Sequence, residues 1–138
     1  SSNSDKLVLY DTENGGFIDL YARNVYTNSD AASKTNIQSL GSATATLTQL
    51  RPVSFEWADK AHYFKTSRRS TGVSNPKEMG FIAQEIEQVL PDIVAGDCEG
   101  HRVVNYSALI PLLTKSIQEL NGQIETLKAE IEALKSGK

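Results

Sequence analysis

The sequence predicts a mixed α+β protein that ends in one long helix. Three features predict this class: short strand-like apolar runs near the N-terminus, a middle region that mixes strand and helix periods, and a seven-residue repeat at the C-terminus. At 138 residues the chain is one small domain with appendages, and the elongated C-terminus makes the globular part smaller still. We therefore expect self-association to contribute to its stability.

Composition narrows the function classes. The net charge of −3 argues against a general binder of nucleic acid or of anionic membranes, because such proteins carry a basic face. The single cysteine, Cys98, excludes an intrachain disulfide and fits a reducing compartment. No apolar run approaches the roughly 20 residues that span a bilayer, and no signal-peptide pattern is present. We expect a soluble protein made in a cytoplasm, with no metal at His62 or His101 and no cofactor.

The N-terminal region has strand signals. Residues 6–10, 17–22 and 25–26 are rich in strand-forming residues, and a glycine-containing turn follows the first run. These strands bury little by themselves. They form either a small hairpin that packs on the following domain or the end of a fibrous β structure. We expect residues 1–28 to be the C-terminal end of an upstream β stalk.

The middle of the chain changes period. Apolar residues recur at roughly helical spacing from Ile37 to Leu50, which predicts one helix that ends near Pro52. Residues 53–57 then alternate between apolar and polar, as a half-buried strand does. Residues 58–78 are expected to form a solvated loop or hairpin.

A second helix and a final hairpin follow. Apolar residues at 82, 86, 89 and 90 line one helical face, and Pro91 predicts its end. Residues 93–94 and 102–104 are expected to pair as strands. The predicted core residues of this region are Phe81, Ile82, Ile86, Val89 and Leu90.

The C-terminal repeat is the strongest pattern in the chain. Apolar residues spaced alternately by four and three put isoleucine at position a and leucine at position d of a heptad. A helix packed along its own domain would need a wider apolar face, so we predict a parallel coiled coil over residues 107–136. Glu130 at g and Lys135 at the following e would pair between chains. The a and d residues favour dimers without settling the copy number. The predicted seam is Leu113, Ile117, Leu120, Ile124, Leu127, Ile131 and Leu134.

A small, polar stretch, residues 27–37, separates the strand-like region from the rest of the chain. It contains Ser29 and Lys34, a hydroxyl and an amine close together in a segment too polar for a core. A lysine can serve as the base that activates a serine. Taken alone, the stretch is better explained by Ser29 and Asp30 capping a helix that starts near Ala31.

Four motifs in order nevertheless resemble one family. They are Ser-Asp-x-x-x-Lys-x-x-Ile at 29–37, Leu-x-Pro-Val-x-Phe-x-Trp at 50–57, Gly-Phe-Ile-Ala-Gln-Glu-Ile-Glu-x-Val-Leu-Pro at 80–91, and Val-Asn-Tyr-Ser-Ala-Leu-Ile-Pro-Leu-Leu from 104, ahead of the heptads. Together they resemble the intramolecular chaperone auto-processing domain, or peptidase S74 family, found at the C-termini of bacteriophage tailspikes, tail fibres and neck appendages. The resemblance covers residues 29–138.

The resemblance implies a homotrimer that aligns three chains, assists folding of the upstream fibre segment of the same polypeptide, and then cuts itself off. This would take place in the host cytoplasm during virion assembly. The upstream product would stay in the virion tail and the released domain would not. The implied partners include no nucleic acid and no membrane. A non-catalytic trimerisation module that stays attached to a fibre or adhesin is the alternative.

The resemblance also implies site roles. Ser29 would be the nucleophile, Lys34 its base, and the bond between Asn28 and Ser29 the one that is cut, within one chain or between subunits. Asp30, Gln84 and Glu85 would support the junction. The family usually carries arginine three residues after the serine, where this chain has Ala32. This departure leaves open whether the chain is impaired in cleavage.

Overall fold

The computed structural model of the chain describes residues 20–57, 77–96 and 100–137. It confirms the mixed α+β class with short strands and a long C-terminal helix. The chain divides into two compact units. The first contains Ser1–Lys34 and Ser54–Met79, and the second contains Thr35–Val53 and Gly80–Lys138. The predicted boundary between residues 28 and 29 stays a prediction.

The regular elements of the described ranges are short, except for the last helix. The helices are α1 (Thr44–Leu47), α2 (Ala83–Val89) and α3 (Leu109–Ser136), and 3-10 turns span Ala31–Ser33, Pro91–Ile93 and Tyr106–Ala108. The strands are β1 (Val53–Phe55), β2 (Glu78–Gly80), β3 (Val94–Gly96) and β4 (Arg102–Val104). β1 pairs with β2, and β3 pairs with β4.

β1 follows the predicted alternation. Residues 53–57 are half-buried and exposed in turn, which confirms a strand with one covered face. The Phe55 and Trp57 rings meet edge to face with centroids 5.2 Å apart, and the Trp57 indole N–H donates to Glu78 Oε1 at 3.0 Å. β2 begins at Glu78, the last residue of the stretch predicted as a loop or hairpin, and residues 58–76 of that stretch lie outside the described ranges.

The strand prediction for residues 20–22 and 25–26 is wrong. These residues form no strand, and their large apolar side chains are exposed, Tyr26 by 90%. A strand needs a partner to accept its backbone hydrogen bonds, and a high strand propensity does not supply one. Residues 6–10 and 17–19, where the other strands were predicted, lie outside the described part of the chain.

The second unit has a small core. Among its described residues, the buried apolar ones are Ala43, Ile86 and Leu109, of which Ile86 on α2 is only 1% exposed. Ile86 is thus confirmed as core, whereas Phe81, Val89 and Leu90, also predicted as core, are half-buried. Pro91 ends α2 by opening the next 3-10 turn, as expected. Ile82, predicted as core, is exposed because it precedes the helix in extended conformation.

The predicted hairpin after α2 is confirmed. β3 and β4 are antiparallel, with Val94 opposite Val104, and the Asn105 N–H donates to the Ile93 carbonyl oxygen at 2.8 Å beyond the last pair. Arg102 Nε donates to both carboxylate oxygens of Glu87 at 3.0–3.1 Å, which fastens β4 to α2. The hairpin and α2 therefore form one structural group.

The single helix predicted from Ile37 to Leu50 is wrong over its first half. Only Thr44–Leu47 is helical, and Ile37 and Leu40, which were expected to line the helix, are 68% and 46% exposed, so their burial does not stabilise a helical turn there. The N-terminus of α1 has no cap of its own. The Glu119 carboxylate of α3 accepts instead from the backbone N–H groups of Ala43 at 3.1 Å and Thr44 at 3.0 Å.

This interaction makes stability depend on pH. Hydrogen bonds from the side chain and backbone of Thr44 lower the pKa of Glu119 from 4.5 to about 2, helped by the Ala43 N–H and the charge of Lys115 against partial burial. Because the folded-state pKa is depressed, the stabilisation is complete above about pH 4.5 and is lost as the pH falls toward 2. Glu119→Gln should lower Tm at pH 7 by several degrees and flatten the loss of Tm below pH 4.5.

Thermal unfolding followed by circular dichroism from pH 7 to pH 2 measures both effects. Glu125→Gln is the matched control, since Glu125 lies exposed on α3 and pairs with Lys128 on the same helix, at 2.8 Å. A Glu119→Gln chain with the same pH profile as the parent would show that Glu119 does not cap α1.

The predicted C-terminal helix is confirmed, and its apolar seam is left uncovered. α3 packs against α1 through Ser116, whose hydroxyl lies 2.9 Å from Thr44 Oγ1. The seven predicted seam residues are each 44–77% exposed. Ile110, one heptad before Ile117, is 62% exposed and extends the stripe. The described residues therefore do not bury the stripe, as a helix packed along its own domain would require.

Candidate functional site

The junction at residues 28–34 folds into a tight polar turn. Asp30 caps the 3-10 turn Ala31–Ser33, since its Oδ1 accepts from the Ala32 N–H at 2.8 Å. The Ser33 and Lys34 N–H groups donate to the carbonyl oxygens of Asp30 and Ala31 at 3.1 and 3.0 Å. The capping role considered for Asp30 is therefore confirmed, with a 3-10 turn in place of a longer helix.

The turn brings Ser29 and Lys34 together. Lys34 Nζ lies 2.7 Å from Ser29 Oγ and 2.8 Å from the Ser29 carbonyl oxygen. The second bond holds the amine in place whichever way the proton between Nζ and Oγ points. The structure thus juxtaposes a hydroxyl and an amine at the distance that proton transfer requires.

Asn28 closes the turn from the other side. Its Oδ1 accepts from the Asp30 N–H at 3.1 Å, and its Nδ2 donates to Ser33 Oγ at 3.3 Å. Asn28 was predicted only as one side of the cut bond, and Ser33 was not predicted. The available signal was chemical: asparagine side chains commonly hydrogen-bond the backbone two residues further on.

The site is open to water in the single chain. Every residue from 28 to 34 is exposed. Water favours the protonated form of a lysine, and a lysine serves as a base only when it is neutral. The distance needed for proton transfer is therefore present, but the single chain does not shield Ser29 and Lys34 from water.

The other predicted supporting residues lie in the second unit. Glu85 forms a bidentate pair with Arg51, in which Arg51 Nε lies 3.2 Å from Oε2 and Nη2 contacts Oε1. The hydrogen bond and the charge of Glu85 raise the pKa of Arg51. Gln84 is exposed on α2. A role for Gln84 or Glu85 at the junction stays a prediction.

The described ranges contain no cluster of residues that could bind a metal ion. Within 20–57, 77–96 and 100–137, no three His, Cys, Asp or Glu residues could together hold a metal ion. His101 is exposed, and His62 and Cys98 lie outside those ranges. None of the described helices is both long enough and apolar enough to cross a membrane.

Comparison with known proteins identifies relatives. Residues 29–95 match the peptidase S74 family, described as chaperone of endosialidase. The chain is 29% identical over 114 residues to the long tail fiber protein Gp37 of Enterobacteria phage K3, and to that of phage T2, covering 80% of this chain. It is 32% identical over 104 residues, 72% of this chain, to the Gp37 of Escherichia phage AR1. The match spans only 8–9% of these relatives' length.

Proposed function

Residues 29–95 belong to the peptidase S74 family, and from this we propose that the chain is an intramolecular chaperone that assembles a phage fibre and then releases itself. The match to the family begins at Ser29, the first residue after the proposed cut. The relatives are long tail fiber proteins, which supports a fibre as the upstream segment. The observation that carries the catalytic part is the 2.7 Å separation of Lys34 Nζ and Ser29 Oγ.

The proposed reaction is a serine-mediated cut between Asn28 and Ser29. Neutral Lys34 takes the Oγ proton while Oγ attacks the Asn28 carbonyl carbon through a five-membered ring. The C–N bond breaks, the Lys34 ammonium returns a proton to the departing Ser29 amine, and an ester links Asn28 to Oγ. Water hydrolyses the ester, which leaves a carboxylate on Asn28 and Ser29 as a new N-terminus. The bond between Lys34 and Ser29 within one chain favours this route over attack by a neighbouring chain.

Assembly would supply the cover that the site lacks. The exposed stripe on α3 has the 2/7 spacing of a parallel coiled coil, and burying it needs other copies of the chain. Glu130 and Lys135 would pair across the seam in an in-register assembly, for which we propose three chains on the family pattern. Neighbouring chains would then remove water from Ser29 and Lys34, so that cleavage follows completed assembly in the host cytoplasm.

One observation favours a second candidate, a trimerisation module that stays attached. Ala32 lacks a side chain that could stabilise the oxyanion formed on the Asn28 carbonyl. The nearby N–H groups of Asp30, Ala32, Ser33 and Lys34 are already bonded within the turn. Arginine at position 32 would add donors and positive charge where they are missing.

Intact mass under denaturing conditions separates the two candidates. We expect the Ala32→Arg chain to yield a fragment that begins at Ser29, the parent chain to yield less of it, and the Ala32→Arg/Ser29→Ala chain to yield none. Native mass spectrometry of the same samples measures the copy number. If all three chains keep their full mass and form trimers, the protein is an assembly module and the peptidase proposal is wrong.

A further inference from the structure

The Asn28 side chain has a bonding pattern that the proposed chemistry does not use. Its amide accepts at Oδ1 from the Asp30 N–H, at 3.1 Å, and donates from Nδ2 to Ser33 Oγ, at 3.3 Å. The first bond spans Ser29. The second reaches the residue next to Lys34. One side chain therefore bonds the Asp30 backbone after the nucleophile and the Ser33 hydroxyl beside the base.

Nothing apolar holds this turn in shape within the first unit's described residues. Residues 28–34 are all exposed, so their arrangement depends on their own hydrogen bonds. The Ser29–Lys34 pair does not fix the Asn28 carbonyl, because among the described residues the hydrogen bonds of Lys34 Nζ go to Ser29 atoms alone. The Asn28 amide supplies the missing constraint on the residue whose carbonyl is attacked.

We propose that Asn28 is a positioning residue that sets the side-chain requirement immediately before the cut bond. An asparagine is needed because the position uses one acceptor and one donor at the reach of a single methylene. Aspartate keeps the acceptor and loses the donor, and alanine loses both. This inference rests on the proposed function, and it adds Asn28 and Ser33 to the residues that control the rate.

The rate of self-cleavage in the Ala32→Arg background tests this role. Asn28→Ala should slow cleavage by about 10-fold to 100-fold, because misplacing reacting groups by an ångström has effects of that size. Asn28→Asp and Ser33→Ala should each give a smaller loss. Asn24→Ala, which changes an exposed asparagine upstream of the turn, is the matched control and should cleave at the background rate.

A double-mutant cycle distinguishes positioning from a general loss of structure. If Asn28 acts through Ser33, the Asn28→Ala/Ser33→Ala chain should cleave no more slowly than Asn28→Ala alone. Tm and native mass should match the background. Hydroxylamine, which reacts with an ester, speeds only the second step of the reaction. It should therefore not restore the cleavage rate of the Asn28→Ala chain, since the affected step is ester formation.

The outcomes that overturn the inference are distinct. An Asn28→Ala chain that cleaves at the background rate, or one that loses Tm or assembly, removes the positioning role while leaving the peptidase proposal intact. Multiplicative losses in the double variant overturn the link to Ser33. If the Ala32→Arg chain itself stays at full mass, the proposed function fails first, and this inference fails with it.

Discussion

Replacing Lys34 with arginine should lower the rate of cleavage between Asn28 and Ser29 by about 10²-fold to 10⁴-fold, the usual effect of losing a general base. Arginine keeps the positive charge and can still donate to the Ser29 carbonyl and hydroxyl oxygens. It stays protonated in proteins, so it cannot take the Oγ proton. The substitution therefore separates a base from a lysine that only orders the turn.

The measurement is the time course of full-length mass in the Ala32→Arg background. Lys77→Arg is the matched control, because Lys77 is an exposed lysine of the same unit outside the turn. The control should cleave like the background chain. Unchanged cleavage by the Lys34→Arg chain would mean that another group takes the proton, and the Ser29–Lys34 pair would then be structural.

Replacing Ile124 with aspartate should convert the assembly to monomers and stop cleavage. Ile124 is an a position in the middle of the stripe and is 49% exposed in the single chain. Assembly would bury a charge at every copy of this position, which is strongly unfavourable without a partner charge. The fold of the single chain should persist because Ile124 is not part of the buried core.

Ala129→Asp is the matched control, since it adds the same charge to the outward face of α3. Native mass spectrometry should show the control assembled and the Ile124→Asp chain monomeric, with circular dichroism showing helix in both. If the Ile124→Asp monomer cleaves at the background rate, assembly does not license the reaction. If it still assembles, the seam is not the interface.

The long helix was predictable because its signal is local and repeated. Seven apolar residues at heptad spacing indicate both a helix and the face it presents, and α3 shows both. The β3–β4 hairpin and α2 were predictable for the same reason: each has its pattern and its end signals within a short stretch.

The start of α1 was not predictable from its own sequence. The helical spacing from Ile37 suggested a longer helix, yet Ile37 and Leu40 are 68% and 46% exposed, so the spacing there corresponds to no buried face. The helix begins at Thr44, whose N–H donates a hydrogen bond to the carboxylate of Glu119, a residue 75 positions further along the chain. Such a cap depends on tertiary packing, which no local pattern reports.

The site was predictable in its members and not in its geometry. Ser29 and Lys34 would lie on different faces of an α-helix, and the contact between them arises from the 3-10 turn that Asp30 caps. The bonds made by Asn28 depend on the same turn. A sequence motif can identify these residues, whereas the backbone conformation determines which of their atoms are in contact.

Identifying the new chain ends in the assembled Ala32→Arg chain tests the central claim most directly. Self-cleavage in water enriched in ¹⁸O, followed by protease digestion in ordinary water and tandem mass spectrometry, identifies both ends of the cut. We predict one fragment that starts at Ser29 and one that ends at Asn28 with heavy oxygen in its new carboxylate. A cut at any other bond, or a chain that remains whole while fully assembled, would contradict self-cleavage by Ser29.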